Sequence, residues 1–156
     1  MLSGVHRGMT PPCLAATAVA ASTLLHPLTA ATAPAPAERI LDDSGGRIGG
    51  YLTRYEALRK AGQRVVIDGT CASACTLLLG VIPHHRICVT QRAVLAFHAA
   101  WDPSLTGAQT NKPATRYLSS HYPTDVRRWI VRHGGLRSET IYLGGRELAA
   151  MFPSCR

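Results

Sequence analysis

The sequence predicts an α/β layered domain, and three observations carry that expectation. Short β-branched and apolar runs, such as Val65-Val66-Ile67 and Val94-Leu95-Ala96-Phe97, have strand character. Segments with apolar residues at helical spacing alternate with them, as in Ile48, Tyr51, Leu52, Tyr55 and Leu58. Glycine and proline clusters, such as Gly45-Gly46 and Gly134-Gly135, punctuate the boundaries. Strands alternating with helices bury their apolar faces by stacking helices on a sheet. The chain has 156 residues and no internal repeat, which points to one domain.

The first 33 residues read as a leader that precedes the domain. His6 and Arg7 form a short basic start, and Cys13 to Leu25 is an alanine-rich apolar run, short for a bilayer span. Ala31-Thr32-Ala33 supplies a small-x-small cleavage site. This is the pattern of a secretory signal peptide, with an uncleaved N-terminal anchor as the alternative. The domain then spans 34–156, in a periplasmic or secreted setting, after a short Pro/Ala lead-in at 34–37.

The domain's elements follow in order. Glu38 to Asp43 reads as a strand end, and Asp42 to Gly46 as a turn. Arg47 to Ala61 predicts an amphipathic helix, although Gly49 and Gly50 in its first turn cost about 1 kcal/mol each in helix propensity. Gln63 to Asp68 predicts a strand, the glycine and small residues after it a tight turn, and Ala72 to Leu79 a helix. Ser73 falls at that junction, where it either caps the helix or presents a hydroxyl beside unpaired N–H groups. Pro83-His84-His85 is a turn, and Arg86 to Val89 and Ala93 to Phe97 are short strands. Ala99 to Ser119 predicts a long loop with one helical turn near its end. Tyr122-Pro123-Thr124 opens a further helix with Thr124 as its cap, and Gly134-Gly135 ends it. Ile141 to Leu143 is extended, and Arg146 to Met151 closes the chain as a short helix.

Charge excludes some functions. Seventeen Lys+Arg stand against nine Asp+Glu, but they are spread along the chain. The densest group, Arg127, Arg128, Arg132 and Arg137, lacks the interleaved aromatics of a nucleic-acid surface and fits a solvated helix face. There is no P-loop and no Gly-x-Gly-x-x-Gly, so no nucleotide cofactor and no ATP-driven partner is implied.

Four cysteines lie in the domain: Cys71, Cys75, Cys88 and Cys155. In an exported domain this predicts two disulfides, each contributing about 2–4 kcal/mol. Three pairings are open. Cys75–Cys88 with Cys71–Cys155 is preferred, and the second bridge would tie the C-terminus back beside the serine turn. Two other uses compete. Cys71, Cys75, His84, His85 and Cys88 would suit a zinc-binding module, and Cys71 or Cys75 would suit a thiol nucleophile.

Acyl transfer needs a nucleophile, a base and N–H donors. Ser73 supplies a hydroxyl at a helix start, His98 ends an apolar strand, and Gly45-Gly46 leaves backbone N–H groups open to a ligand. The joint order is Ser44-Gly45-Gly46, helix, strand, Gly69-x-x-x-Ser73, then His98. It resembles the proteolytic subunit of Clp protease, within the crotonase-like superfamily. The pattern Asp68-Gly69-Thr70-Cys71-Ala72-Ser73-Ala74-Cys75-Thr76, with Phe97-His98-Ala99-Ala100, is similar to a group of exported ClpP-like bacterial proteins. Tyr122-Pro123-x-x-Val126-Arg127-Arg128-Trp129-Ile130 and His133-Gly134-Gly135-Leu136 continue the likeness.

The resemblance implies a spiral of β-strand and helix units and a serine peptidase acting on peptide or protein substrates. Ser73 would be the nucleophile and His98 the base. The N–H of Ala74, with that of Gly45 or Gly46, would form the oxyanion hole. The family's acid falls near Leu136 to Glu139, which nominates Glu139, with Asp125 second. The resemblance also implies assembly into a homo-oligomer. The chain departs from the family in lacking the strands that usually precede the Gly-Gly turn, which would leave a sheet edge open. A non-catalytic binding protein that keeps the fold is the competing reading.

Overall fold

The computed structural model describes Met1, Gly4 and residues 36–155 apart from 105 and 106. The predicted leader therefore lies almost wholly outside the described residues. The domain is a mixed α/β structure around one five-stranded sheet.

Strand β1 (Glu38–Asp43) leads through Ser44-Gly45-Gly46 into helix α1 (Ile48–Lys60) and back to β2 (Val65–Ala72). Strands β1 and β2 pair in parallel, as a strand–helix–strand crossover requires. Strand β2 runs four residues beyond the predicted end at Asp68. Gly69 is thus no turn residue. It sits inside the strand, where a β-carbon would lie 1.3 Å from the Leu41 carbonyl oxygen, at the irregularity in β1 between Ile40 and Asp42. Only glycine fits that close backbone approach.

The chain leaves β2 by a 3₁₀ turn (Ser73–Leu77) and helix α2 (Leu78–Val81). Strand β3 (Ile87–Val89) pairs with the first half of β2, and β4 (Val94–Phe97) pairs in parallel with its second half. Strand β7 (Ile141–Gly144) pairs antiparallel with β4, so the main sheet order is β1-β2-β4-β7. The predicted long loop is instead structured. It forms a hairpin of β5 (Trp101–Ser104) and β6 (Gly107–Thr110), then helix α3 (Lys112–His121). Asn111 caps α3 by accepting from the Ala114 N–H at 2.8 Å, and Pro113 lies in the first turn, where no N–H is missed.

Helix α4 (Thr124–Arg132) starts one residue after Pro123, and the Thr124 side chain does not cap it. Gly134 and Gly135, both with positive φ, end the segment as predicted. Helix α5 (Gly145–Met151) follows β7 directly. The core joins β2 and β4 (Ile67, Leu95, Phe97) to α1 (Tyr55), the 3₁₀ turn and α2 (Leu77, Leu78) and α4 (Trp129). Helix α2 touches the end of α3 closely: a β-carbon on Gly80 would stand 1.7 Å from the His121 carbonyl oxygen.

Two disulfides form, and they overturn the preferred pairing. Cys71 is joined to Cys75 and Cys88 to Cys155. Proximity in the fold explains this: Cys71 is the penultimate residue of β2 and Cys75 lies one turn later, 5.4 Å away between Cα atoms. Cys88 lies in β3, against which the C-terminal segment pairs through Val89 and Ser154. With these thiols in disulfides, neither the zinc module nor a cysteine nucleophile retains its thiolates. Among the described residues no three His, Cys, Asp or Glu side chains converge on a metal position.

Candidate active site

Parallel strands gather ligands at their carboxyl ends. Here the segments following β1, β2 and β4 bring Ser44-Gly45-Gly46, Ser73 and His98 to one end of the sheet. Ser73, His98, Gly45 and Gly46 all line one cavity of about 760 Å³. A second cavity of about 390 Å³ shares His98 and is lined by Asp42, Asp43 and Tyr142.

Ser73 occupies a turn that few residues adopt. Ala72 is extended (φ −112°, ψ 153°), and Ser73 then has φ 55°. The left-handed region costs a residue with a β-carbon about 1–2 kcal/mol. Surrounding contacts hold it there. The Cys71–Cys75 bridge spans the serine, Thr76 Oγ1 donates to the Ser73 carbonyl at 2.6 Å, and the Tyr55 hydroxyl donates to the Cys75 carbonyl at 2.9 Å. Thr76 Oγ1 also meets the Tyr122 hydroxyl at 2.8 Å. The capping expectation fails: the residue before the turn is Ala72, and no side chain caps it. The Ser73 hydroxyl makes no hydrogen bond among the described residues.

Gly45 forms the wall opposite. With φ +83°, its α-carbon packs so tightly that a β-carbon would lie 2.6 Å from the Ala72 carbonyl oxygen, 2.7 Å from Ser73 Cβ and 2.9 Å from Ala74 N. Asp43 sets this turn. Its Oδ1 accepts from the Gly45 N–H at 2.9 Å and from the Tyr51 hydroxyl, while Arg54 reaches Oδ2 at 3.4 Å. Burial and the neighbouring Asp43 carboxylate push the Tyr51 phenol up to about 12, so it stays a donor. The Gly45 N–H is therefore committed to Asp43 and is not an oxyanion donor. Gly46 N–H has no partner among the described residues, and Ala74 N–H stands at the open start of the 3₁₀ turn. The predicted donor set narrows to Gly46 and Ala74.

His98 is half-buried, and its Nδ1 lies 2.8 Å from the Ala99 carbonyl oxygen. A carbonyl only accepts, so Nδ1 carries the proton and Nε2 is left as the basic nitrogen. No hydrogen bond joins Ser73 and His98. Glu139 is exposed. Hydrogen bonds from its own N–H and from Ser138 hold its carboxyl below the usual range, and it reaches His98 by neither hydrogen bond nor ion pair. Asp125 pairs with Arg128 at 2.7 Å on α4. The segment predicted for the acid does run beside His98, but through its backbone: the Arg137 carbonyl accepts from the Ala99 N–H at 2.6 Å.

Four contributors escape the sequence pattern. The Ala99 carbonyl stands where an acid was expected. Asp43 orients the glycine turn, and its signal is legible as an Asp two residues before a glycine. Arg47 lies beside the turn, and Trp101 reaches the cavity only because the segment after His98 folds into a hairpin. No family model matches this chain, and no curated protein matches it significantly.

Proposed function

We propose that this protein is an exported serine hydrolase of the acyl-transfer type, a peptidase of ClpP-like, crotonase-like fold. Ser73 is its nucleophile and His98 its base. The observation that carries the reading is Ser73 itself, a strained residue between strand and helix, with an unbonded hydroxyl, that lines one cavity together with His98. Strain of this kind persists where the fold over-determines it, and it recurs at the nucleophile turns of hydrolases.

In this reading Ser73 Oγ attacks the carbonyl carbon of a peptide or ester, and His98 Nε2 takes its proton. The oxyanion faces the Ala74 and Gly46 N–H groups. The Nε2–H then protonates the leaving amine or alcohol, and water returns through the same nitrogen to release the acid. The Ala99 carbonyl fixes the imidazole tautomer as a triad carboxylate does, but supplies no full charge to the imidazolium. The substrate is an extended peptide or protein segment, no ATP-driven partner takes part, and the protein works as a homo-oligomer.

A fluorophosphonate probe tests the assignment. Wild-type protein is expected to be labelled at Ser73 near pH 8, and Ser73→Ala and His98→Ala to lose the label. Folded, unlabelled wild type would sink the hydrolase reading. The binding-protein alternative would then stand, favoured by the commitment of the Gly45 N–H to Asp43 and of His98 to a neutral carbonyl.

A further inference from the structure

The Ser73 cavity is charged unevenly. Arg47 lines it on the side of the glycine turn, is exposed and forms no ion pair among the described residues. Asp102 lines it on the hairpin side, with its carboxylate accepting from Asn111 Nδ2 at 2.7 Å. The same wall has an apolar part, with Ala114 and Leu118 from α3 and Trp101 from β5, which is 55 % exposed. Of the two other carboxylates near the turn, Asp43 is occupied by Gly45, Tyr51 and Arg54 and Asp42 accepts from the Thr70 N–H at 3.2 Å, and neither forms an ion pair with Arg47.

We infer that Arg47 is a specificity-determining residue, selecting peptides with an acidic side chain next to an apolar one. The acidic group lies at Arg47 beside the glycine turn. The apolar group lies against Ala114, Leu118 and Trp101. A basic side chain at the first position meets like charge at Arg47, and the reversed orientation sets the acidic group against Asp102. The inference builds on the hydrolase reading for the site's location, but recognition does not require turnover.

The test separates the two. Fluorescein-labelled peptides carry Asp, Asn or Lys immediately before or after a leucine, and their anisotropy is followed on Ser73→Ala protein. In one of the two orders Asp is expected to bind more tightly than Lys by about fivefold, the size of a partly exposed charge pair. Arg47→Glu is expected to invert that order, with an unchanged circular-dichroism melting curve as the check on folding. Equal affinities in both orders, or a preference for Asp that survives Arg47→Glu, would overturn the inference. If the preference is present but wild-type Ser73 resists the fluorophosphonate, the hydrolase reading fails while the role of Arg47 stands.

Discussion

At the scale of single residues, Ser73 combines strain with idleness: its backbone is left-handed and its hydroxyl has no partner among the described residues. The two features predict different outcomes for two substitutions. Ser73→Ala removes no hydrogen bond and keeps the β-carbon, so its stability is expected within about 0.5 kcal/mol of wild type. Ser73→Gly relieves the left-handed strain and is expected to be more stable than Ser73→Ala by about 1 kcal/mol. Urea denaturation of both variants measures this, and a less stable glycine variant would contradict the strain assignment. Both are expected to lose fluorophosphonate labelling. The strain of Ser73 was not legible from its identity, because it arises where an extended strand meets a turn stapled by a disulfide.

At the scale of elements, two cross-links act differently on the molecule. Cys88–Cys155 closes a separation of 67 residues and Cys71–Cys75 one of 4. The loop-closure relation gives about 4 kcal/mol for the long bridge and about 2 kcal/mol for the short one. Paired alanine substitutions are therefore expected to lower stability more at Cys88 and Cys155. The reverse order is expected for labelling of Ser73, since only the short bridge spans it. A second element-scale knot joins four strands through Asp68, which is 9 % exposed. It accepts from Arg39 on β1, from Thr90 after β3 and from Arg92 before β4. Hydrogen bonds from Arg92 and Thr90, with Arg39 beside them, hold its carboxyl far below the usual range. A lowered folded-state value means stability that is complete above the unfolded carboxylate value of about 4 and is lost as the pH falls below it. Melting midpoints of Asp68→Asn are expected to depend less steeply on pH in that acidic range than those of wild type. Parallel slopes would refute the linkage.

At the scale of the whole molecule, one core holds the three strand ends that carry the site. Trp129 of α4 is 1 % exposed and packs against Phe97, the residue before His98. Trp129→Ala is expected to cost about 3–5 kcal/mol, a large share of the 5–15 kcal/mol that holds a typical domain. Its indole Nε1 is buried without a partner. Trp129→Phe deletes that unpaired donor along with some volume, so its cost is expected to be well below that of alanine. Chemical denaturation of the two variants decides the point. Among the described residues the main sheet path ends at β1 and β7, and Leu41 on β1 is 54 % exposed.

Local pattern was enough for most of the architecture. Apolar periodicity placed α1, β3, β4, α4 and α5 nearly to the residue, because each buries a face whose spacing is written in the chain. The nomination of Ser73, His98 and Gly46 for one site rested on their order, and these three line one cavity, while Ala74 follows Ser73 in the 3₁₀ turn and is not part of the cavity wall. What local pattern did not contain were choices made between distant segments. The close approach of Leu41 kept Gly69 in the strand, and the fold set Cys71 beside Cys75. The hairpin and α3 form where a loop was expected, adding Trp101 and Leu118 to the cavity wall. Asp43 took the Gly45 N–H, and the Ala99 carbonyl took the place foreseen for Glu139. Each of these depends on which backbone atoms meet in space. That is set by how the layers pack, and the spacing of residues along the chain does not encode it.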